Sequence, residues 1–254
     1  MFRHQGKART LGHNKKIASL LSFVAGVVNV AGFLSIQRLT TNVTGHFAYF
    51  VDEVFKLHFT ESFIYFFYIF FFFLGSFVSS LLVEIISRNN ERFVFVIPVV
   101  IESFILFTIA FFGHALILNN PSLIAYSLLF AMGLQNSLVT RISDAIVRTT
   151  HLTGLFTDLG IELSQLFFYR AKKQQEKLMS TIKLRLRIIV YFFTGGIVGG
   201  ILYAYFNLSV LMLPAAMLII GLFYDSAKFK LINWKRKHLP REKGTSNLDL
   251  RQTG

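Results

Sequence analysis

Long apolar stretches alternate with short polar segments along almost the whole chain. Six of these stretches hold about 20 mostly apolar residues, the length that a helix needs to cross roughly 30 Å of hydrocarbon. They cover residues 17–37, 62–86, 93–113, 121–139, 188–206 and 208–224. The pattern therefore predicts an all-α integral membrane protein with about six transmembrane helices.

The composition supports this fold class. Hydrophobic residues make up 54% of the chain, charged residues only 15%, and there are 30 Phe. Soluble domains average about 25% charged residues, so an ordinary soluble domain is excluded. The chain has no Cys, which excludes disulfides, thiolate metal sites and Cys nucleophiles.

The net charge of +13 fits either a nucleic-acid-binding protein or the charge bias of a membrane protein. Of the 26 Lys and Arg residues, only Arg38 and Lys56 lie outside four segments. Six spans with both termini in the cytoplasm place all four segments on the cytoplasmic side, as the positive-inside rule requires. We therefore expect no nucleic-acid partner, and we expect the basic tails to contact anionic lipid headgroups. The four segments are 1–16, 88–92, 141–187 and 228–251.

The two halves of the sequence resemble each other in two long blocks. TTNVTGHF at 40–47 matches TTHLTGLF at 149–156. FFFLGSFVSS at 71–80 matches YFFTGGIVGG at 191–200. Three single pairs occur in the same order: Gly26 with Gly133, Asn29 with Asn136, and Pro98 with Pro214. These matches predict an internal duplication, with loop insertions mainly at 169–183.

Each half contributes three of the predicted spans. Because three is odd, equivalent spans cross the membrane in opposite directions, so the repeats are inverted. The chain then divides into a basic tail (1–16), two repeats (17–113 and 114–226) and a second basic tail (227–254). Inverted repeats are typical of secondary transporters, although duplication also builds channels, scramblases and structural bundles.

The TTxxTGxF blocks predict a broken helix after spans one and four. Thr is a good N-cap and Gly permits unusual backbone angles, so a new helix can begin near Thr44 and near Thr153 with its free amides facing a polar cavity. The segments that follow, 47–59 and 155–168, are too short and polar for spans and suit re-entrant or interfacial helices. The alternative is that these Thr and Gly residues only pack helices.

Small residues recur one and four positions apart in the 71–80 and 191–200 blocks. Such spacing makes a smooth helix face that permits close approach. We expect these two spans to pack tightly against each other or against the broken helices.

Amide side chains within the spans are the first candidate ligands for a solute. Amides in a bilayer are unfavourable without partners, and equivalent positions in both halves suggest one shared central site. Clamping of two helices is an equally good interpretation. The hypothetical substrate-binding set is Asn29, Thr41, Thr44, Gly45, Gln135, Asn136, Thr150, Thr153 and Gly154.

Charged and titratable residues give a second set of candidates. Glu102 is an acidic residue deep in an apolar span, which suggests either proton or cation coupling or a protonated carboxyl bonded to a neighbouring helix. His46, Arg148 and His151 lie in or beside the TTxxTG blocks and favour an anionic ligand together with the helix N-termini. The seven His show no metal-ligand spacing, and no cofactor or enzyme motif occurs, so we expect no metal, no cofactor and no catalysis.

The blocks GVVNVAGFL, TTNVTGHF, AMGLQNSLVTR and RTTHLTGLFTDLG resemble the YoaK family of bacterial inner-membrane proteins, a family of unknown function. Two positions depart from the family pattern: Asn29 stands where an Asp is usual, and His46 where an Asn is usual. The resemblance implies a multi-pass plasma-membrane protein of a bacterium and names no substrate.

Taken together, these patterns predict a secondary transporter of a small polar or anionic solute that works by alternating access between the repeats. The alternative is a non-transporting membrane protein, such as a lipid-interacting or assembly subunit, in which the repeat motifs only pack helices. The membrane lipids and the unknown solute are the expected partners, and an oligomer is compatible with the sequence.

Overall fold

A computed structural model describes residues 11–89, 94–143 and 147–224 of the chain, and all the regular elements there are helices. The basic C-terminal tail at 227–254 and most of the N-terminal tail at 1–16 lie outside the described residues, as does their predicted contact with headgroups. The helices are α1 (Leu11–Ile36), α2 (Val43–Phe55), α3 (Phe59–Asn89), α4 (Val96–Asn119), α5 (Pro121–Ile142), α6 (Leu152–Leu166), α7 (Lys172–Phe206) and α8 (212–224).

Five helical segments of the described chain are long and apolar enough to cross a membrane. The first four correspond to the first four predicted spans, whereas the fifth and sixth predicted spans fall within one segment, Lys172–Tyr224. A 3-10 turn at Asn207–Leu211 interrupts this segment, and Asn207 takes a positive φ of 48° there. An all-helical membrane fold is therefore confirmed, and the number of spans is five by this criterion.

The region at 169–183, predicted as a cytoplasmic loop insertion, is mainly helical instead. The stretch from Lys172 onward contains good helix formers such as Lys, Gln, Glu and Leu, and no Gly or Pro interrupts it before Gly195. It therefore continues directly into α7, whose 35 residues extend for about 52 Å. This is longer than a hydrocarbon core of roughly 30 Å, and the charged residues of α7 all lie in its first half.

Among helices α1 to α7, α1 and α7 make the most extensive contact with each other. Gly26 of α1 lies against the backbone carbonyl of Phe192, and Gly195 of α7 lies against that of Phe23. A Cβ atom at either glycine would fall inside van der Waals distance of the facing carbonyl oxygen. The two backbones touch here because neither glycine has a side chain.

The pair α3 with α5 repeats this contact. Gly133 of α5 lies against the carbonyl of Phe72, and Gly75 of α3 lies against that of Phe130. The Ser76 hydroxyl also donates to the Gly133 carbonyl at 3.1 Å. In the described part of the chain, the tight contacts of the small-residue spans are therefore with α1 and α5, the helices that precede the breaks, which is the second of the two predicted arrangements.

The two short helices α2 and α6 each lie along a long helix, but different chemistry holds them there. On α2, the rings of His46 and Tyr49 pack on Tyr68 and Tyr65 of α3, with centroids 4.8 and 5.3 Å apart. These pairings place α2 antiparallel to α3.

On α6, two carboxylates bind one guanidinium of α7. Arg185 donates to Asp158 at 2.7 Å and to Glu162 at 2.9 Å. Asp158 and Glu162 are one helical turn apart, so both reach the same side chain. Aromatic contacts thus hold α2 on α3, whereas ion pairs hold α6 on α7.

Candidate functional site

After α1 the chain folds back alongside that helix. The Thr40 hydroxyl donates to the Val28 carbonyl at 3.3 Å, and the Thr41 hydroxyl donates to Asn29 Oδ1 at 2.7 Å. From the end of α1 to Val28 is eight residues, so the return covers about 12 Å of helix axis. Helix α2 therefore begins at the depth of Asn29, in the interior of the span Lys15–Ile36.

The second half makes the same return at the equivalent residues. Asn136 Nδ2 donates to the Thr150 hydroxyl at 2.5 Å, and the Thr149 hydroxyl donates to Asn136 Oδ1 at 3.4 Å. Helix α6 then begins at Leu152, beside the interior of α5. The helix starts predicted near Thr44 and Thr153 are thus observed at Val43 and Leu152, slightly earlier than the predicted segments 47–59 and 155–168.

One cavity of about 990 Å³ is lined by both return segments, residues 37–42 before α2 and residues 147–151 before α6. Nine of the thirteen predicted site residues line it, and they come from both halves. These nine are Asn29, Thr41, Thr44, Gly45, Asn136, Arg148, Thr150, His151 and Thr153. Two further polar residues, Asn42 and Thr140, also line the cavity, and neither was among the site residues predicted from the sequence.

Gln135 lies behind the cavity wall and is fully buried. Its Nε2 donates to the Leu21 carbonyl of α1 at 3.0 Å and to the Thr149 hydroxyl at 3.1 Å. Gln135 of α5 therefore connects α1 with the second return segment. This agrees with the interpretation in which the amides clamp helices together and do not bind a solute. Gly154 also lies outside the lining, and a Cβ atom at this position would collide with the ring of His151.

His46 is buried at the α2–α3 contact and does not line the cavity. Its Nε2 lies 2.5 Å from the Leu39 carbonyl. Together with its packing on Tyr68, this bond holds the start of α2 against α3. The position suits a packing residue better than a solute ligand.

Glu102 is fully buried in α4 and also lies outside the cavity lining. Neither of its carboxylate oxygens has a hydrogen-bond partner within the described ranges. The predicted bond to a neighbouring helix is therefore not seen among those residues.

The ion-pair group of Arg185 with Asp158 and Glu162 was not predicted from the sequence. The carboxylates' spacing of one helical turn on a short amphipathic helix was the available signal, but it does not identify the partner. Only the docking of α6 on α7 brings Arg185 to them.

Comparison with known proteins places this architecture in a family. A family model described as "Protein of unknown function (DUF1275)" matches residues 17–224. The chain is 24% identical over 220 residues to the UPF0700 transmembrane protein YoaK of Bacillus subtilis (strain 168), an alignment that covers 86% of this chain and 96% of that protein. No solved structure matches. The resemblance read from the TTxxTG and GLQN blocks is confirmed.

Proposed function

The chain belongs to the DUF1275 family, and we propose that this member is a secondary transporter of a small polar or anionic solute. The observation that carries the proposal is the cavity itself. Equivalent residues of both halves line it, among them Asn29 with Asn136 and Thr44 with Thr153. Transporters built from two repeats bind substrate at such a repeat interface near the bilayer midplane, where helices are interrupted.

The same proposal includes six crossings arranged as inverted repeats. The segment Lys172–Tyr224 has 53 residues, about 80 Å if fully helical, which is more than twice a bilayer core. Its break at Asn207 allows α7 to cross once and the stretch that follows, the 3-10 turn together with α8 (207–224, about 30 Å), to cross again. The matching contacts of α1 with α7 and α3 with α5 also fit a duplicated unit.

Both termini are proposed to lie in the cytoplasm, because that orientation gathers almost all basic residues on one side. The return segments then enter from opposite faces, the first from outside and the second from inside. Movement of α2 or α6 away from its long helix would expose the cavity to one face at a time, which is the requirement for alternating access.

One observation favours the non-transporting alternative. The Asn29–Thr41 and Asn136–Thr150 hydrogen bonds satisfy these side chains within the protein. A packing role needs no ligand, and hydroxyl and amide groups commonly join helices in membranes. Access of water to the cavity separates the two functions.

Thr44→Cys and Thr153→Cys test this access. The chain has no Cys, so each variant carries a single reactive thiol. Under the transport proposal, a membrane-impermeant thiol reagent should modify Thr44→Cys from outside and Thr153→Cys from inside, in intact cells and in inverted vesicles respectively. Labelling is read as a mass increase of the purified protein.

Two controls calibrate the labelling. Leu128→Cys replaces a fully buried residue and should stay unmodified, whereas Thr60→Cys, at an exposed end of α3, should react. If both cavity positions are as inert as Leu128→Cys from both faces, transport through this cavity is refuted and the packing alternative stands.

Glu102→Leu should raise the stability of the protein. Leu218 occupies the equivalent position four residues after Pro214, so the second half already accepts Leu there. Because the Glu102 carboxyl has no hydrogen-bond partner among the described residues, replacing it by an apolar group should add about 1–3 kcal/mol to the free energy of unfolding. Thermal or denaturant unfolding in detergent measures the change.

We also propose that Glu102 couples transport to a proton or cation, although it lies outside the cavity lining. In that case Glu102→Gln should abolish the pH or cation dependence of uptake while the fold is retained. Glu84→Gln, which alters an exposed carboxylate of α3, is the matched control. Unchanged pH and cation dependence in Glu102→Gln would remove the coupling role.

A further inference from the structure

We propose that the solute is an anion and that Arg148 is its main charged contact. This inference rests on the proposed function and specifies the charge of the ligand. Arg148 is the only lining residue with a permanent charge, and the described lining contains no Asp or Glu. Arg148 is an exposed residue of this open cavity, and its positive charge attracts an anion that enters and repels a cation.

The positive charge comes from the second half alone. In the TTxxTG blocks, Leu39 stands where the second half has Arg148, and Asn42 stands where it has His151. All four residues line the cavity. The described lining of the first half is therefore neutral, whereas that of the second half includes the guanidinium of Arg148 and the imidazole of His151.

The N-termini of α2 and α6 also differ, and the difference again makes the second half the more favourable one for an anion. At α2, Asn42 Oδ1 accepts from the Gly45 amide at 3.1 Å, so its own side chain caps that helix. At α6, a helix of 15 residues, His151 makes no capping hydrogen bond, and Leu152 and Thr153 line the cavity. The first amides of α6 thus add favourable dipoles beside Arg148.

The neutral polar residues do not reverse this preference. Asn29 and Asn136 each offer an amide group, which serves anions through N–H and cations through the oxygen. Both are engaged with Thr41 and Thr150. Among the described lining residues, Arg148 therefore decides the charge, and one guanidinium is best matched by one carboxylate or a similar planar oxyanion.

Matched pairs of carboxylate and carboxamide test the charge. Acetate with acetamide, and benzoate with benzamide, differ mainly in charge and little in size. The full-length protein in detergent is heated with each compound at constant ionic strength. We expect at least one carboxylate to raise the unfolding temperature in a saturable way, while its amide has no effect.

Variants of Arg148 then locate the binding. Arg148→Gln should weaken carboxylate binding at least about tenfold, Arg148→Lys should weaken it less, and Arg170→Gln, an exposed arginine outside the lining, should leave it unchanged. Equal stabilisation by acid and amide, no saturable effect of any carboxylate, or equal affinity in Arg148→Gln would each overturn the inference.

These outcomes differ from a failure of the transport proposal. If Thr44→Cys and Thr153→Cys are labelled but no carboxylate binds, the cavity is aqueous and only the anion assignment fails. If neither thiol reacts from either face, the aqueous cavity fails as well.

Discussion

Gly26→Ala is expected to destabilise the protein by about 3 kcal/mol, near the upper end for overpacking of a tightly packed site. The new methyl group would overlap the Phe192 carbonyl oxygen and would lie 2.8 Å from the Gly196 nitrogen. Both are backbone atoms, so no side chain can rotate away, and α1 and α7 must separate. Gly133→Ala should have a similar effect, because its methyl group would meet the Phe72 carbonyl oxygen.

Gly160→Ala is the matched control for these variants. Gly160 lies within α6, and a Cβ there meets no atom within 4 Å. The substitution should stabilise the protein by up to about 1 kcal/mol, because Ala favours the helix more than Gly does. Unfolding in detergent and the yield of monodisperse protein measure both effects. Equal tolerance of Ala at positions 26 and 160 would contradict the close crossing of α1 and α7.

Arg185→Gln is expected to loosen α6 from α7 and to destabilise the protein by about 1–3 kcal/mol. Loss of the guanidinium leaves two carboxylates facing each other without their shared partner. A fully buried pair would cost more, but the Arg185 side chain is 23% exposed and that of Asp158 is 50% exposed, so solvent screens part of the effect.

The loosening should appear at one end of the cavity only. In the Arg185→Gln background, Thr153→Cys should react faster with the impermeant reagent, while Thr44→Cys should keep its rate. Arg187→Gln, two residues further along α7 and exposed, is the control. Equal acceleration at both positions would indicate general unfolding, and no acceleration at Thr153→Cys would show that the ion pairs do not restrain α6.

Much of this architecture could be predicted from the sequence because its signals are local or duplicated. The apolar lengths predict the first four spans, and Thr and Gly in the TTxxTG blocks predict where new helices begin. Duplication added a non-local constraint, since equivalent residues such as Asn29 and Asn136 were expected at one site. The structure brings both to the same cavity.

The parts that could not be predicted depend on which helices meet. Whether a polar residue such as Gln135 faces a solute or a neighbouring helix depends on a few degrees of helix rotation, and it bonds to α1. His46 lies in a TTxxTG block like the lining residues, yet its ring packs on Tyr68. The role of Arg185 depends on its ion pair with Glu162 of α6, which precedes it by some 20 residues in the chain.

The pairing of α1 with α7 also bears on how the protein is made. Helix α1 leaves the ribosome before any other described helix, whereas α7 follows only after five more have been synthesised. The face of α1 at Gly26 therefore lacks its α7 partner during much of translation, while α3 and α5, closer in sequence, can pair earlier. Packing of the first half is thus completed by the second, and a nascent chain that stops before α7 would leave α1 without its main partner.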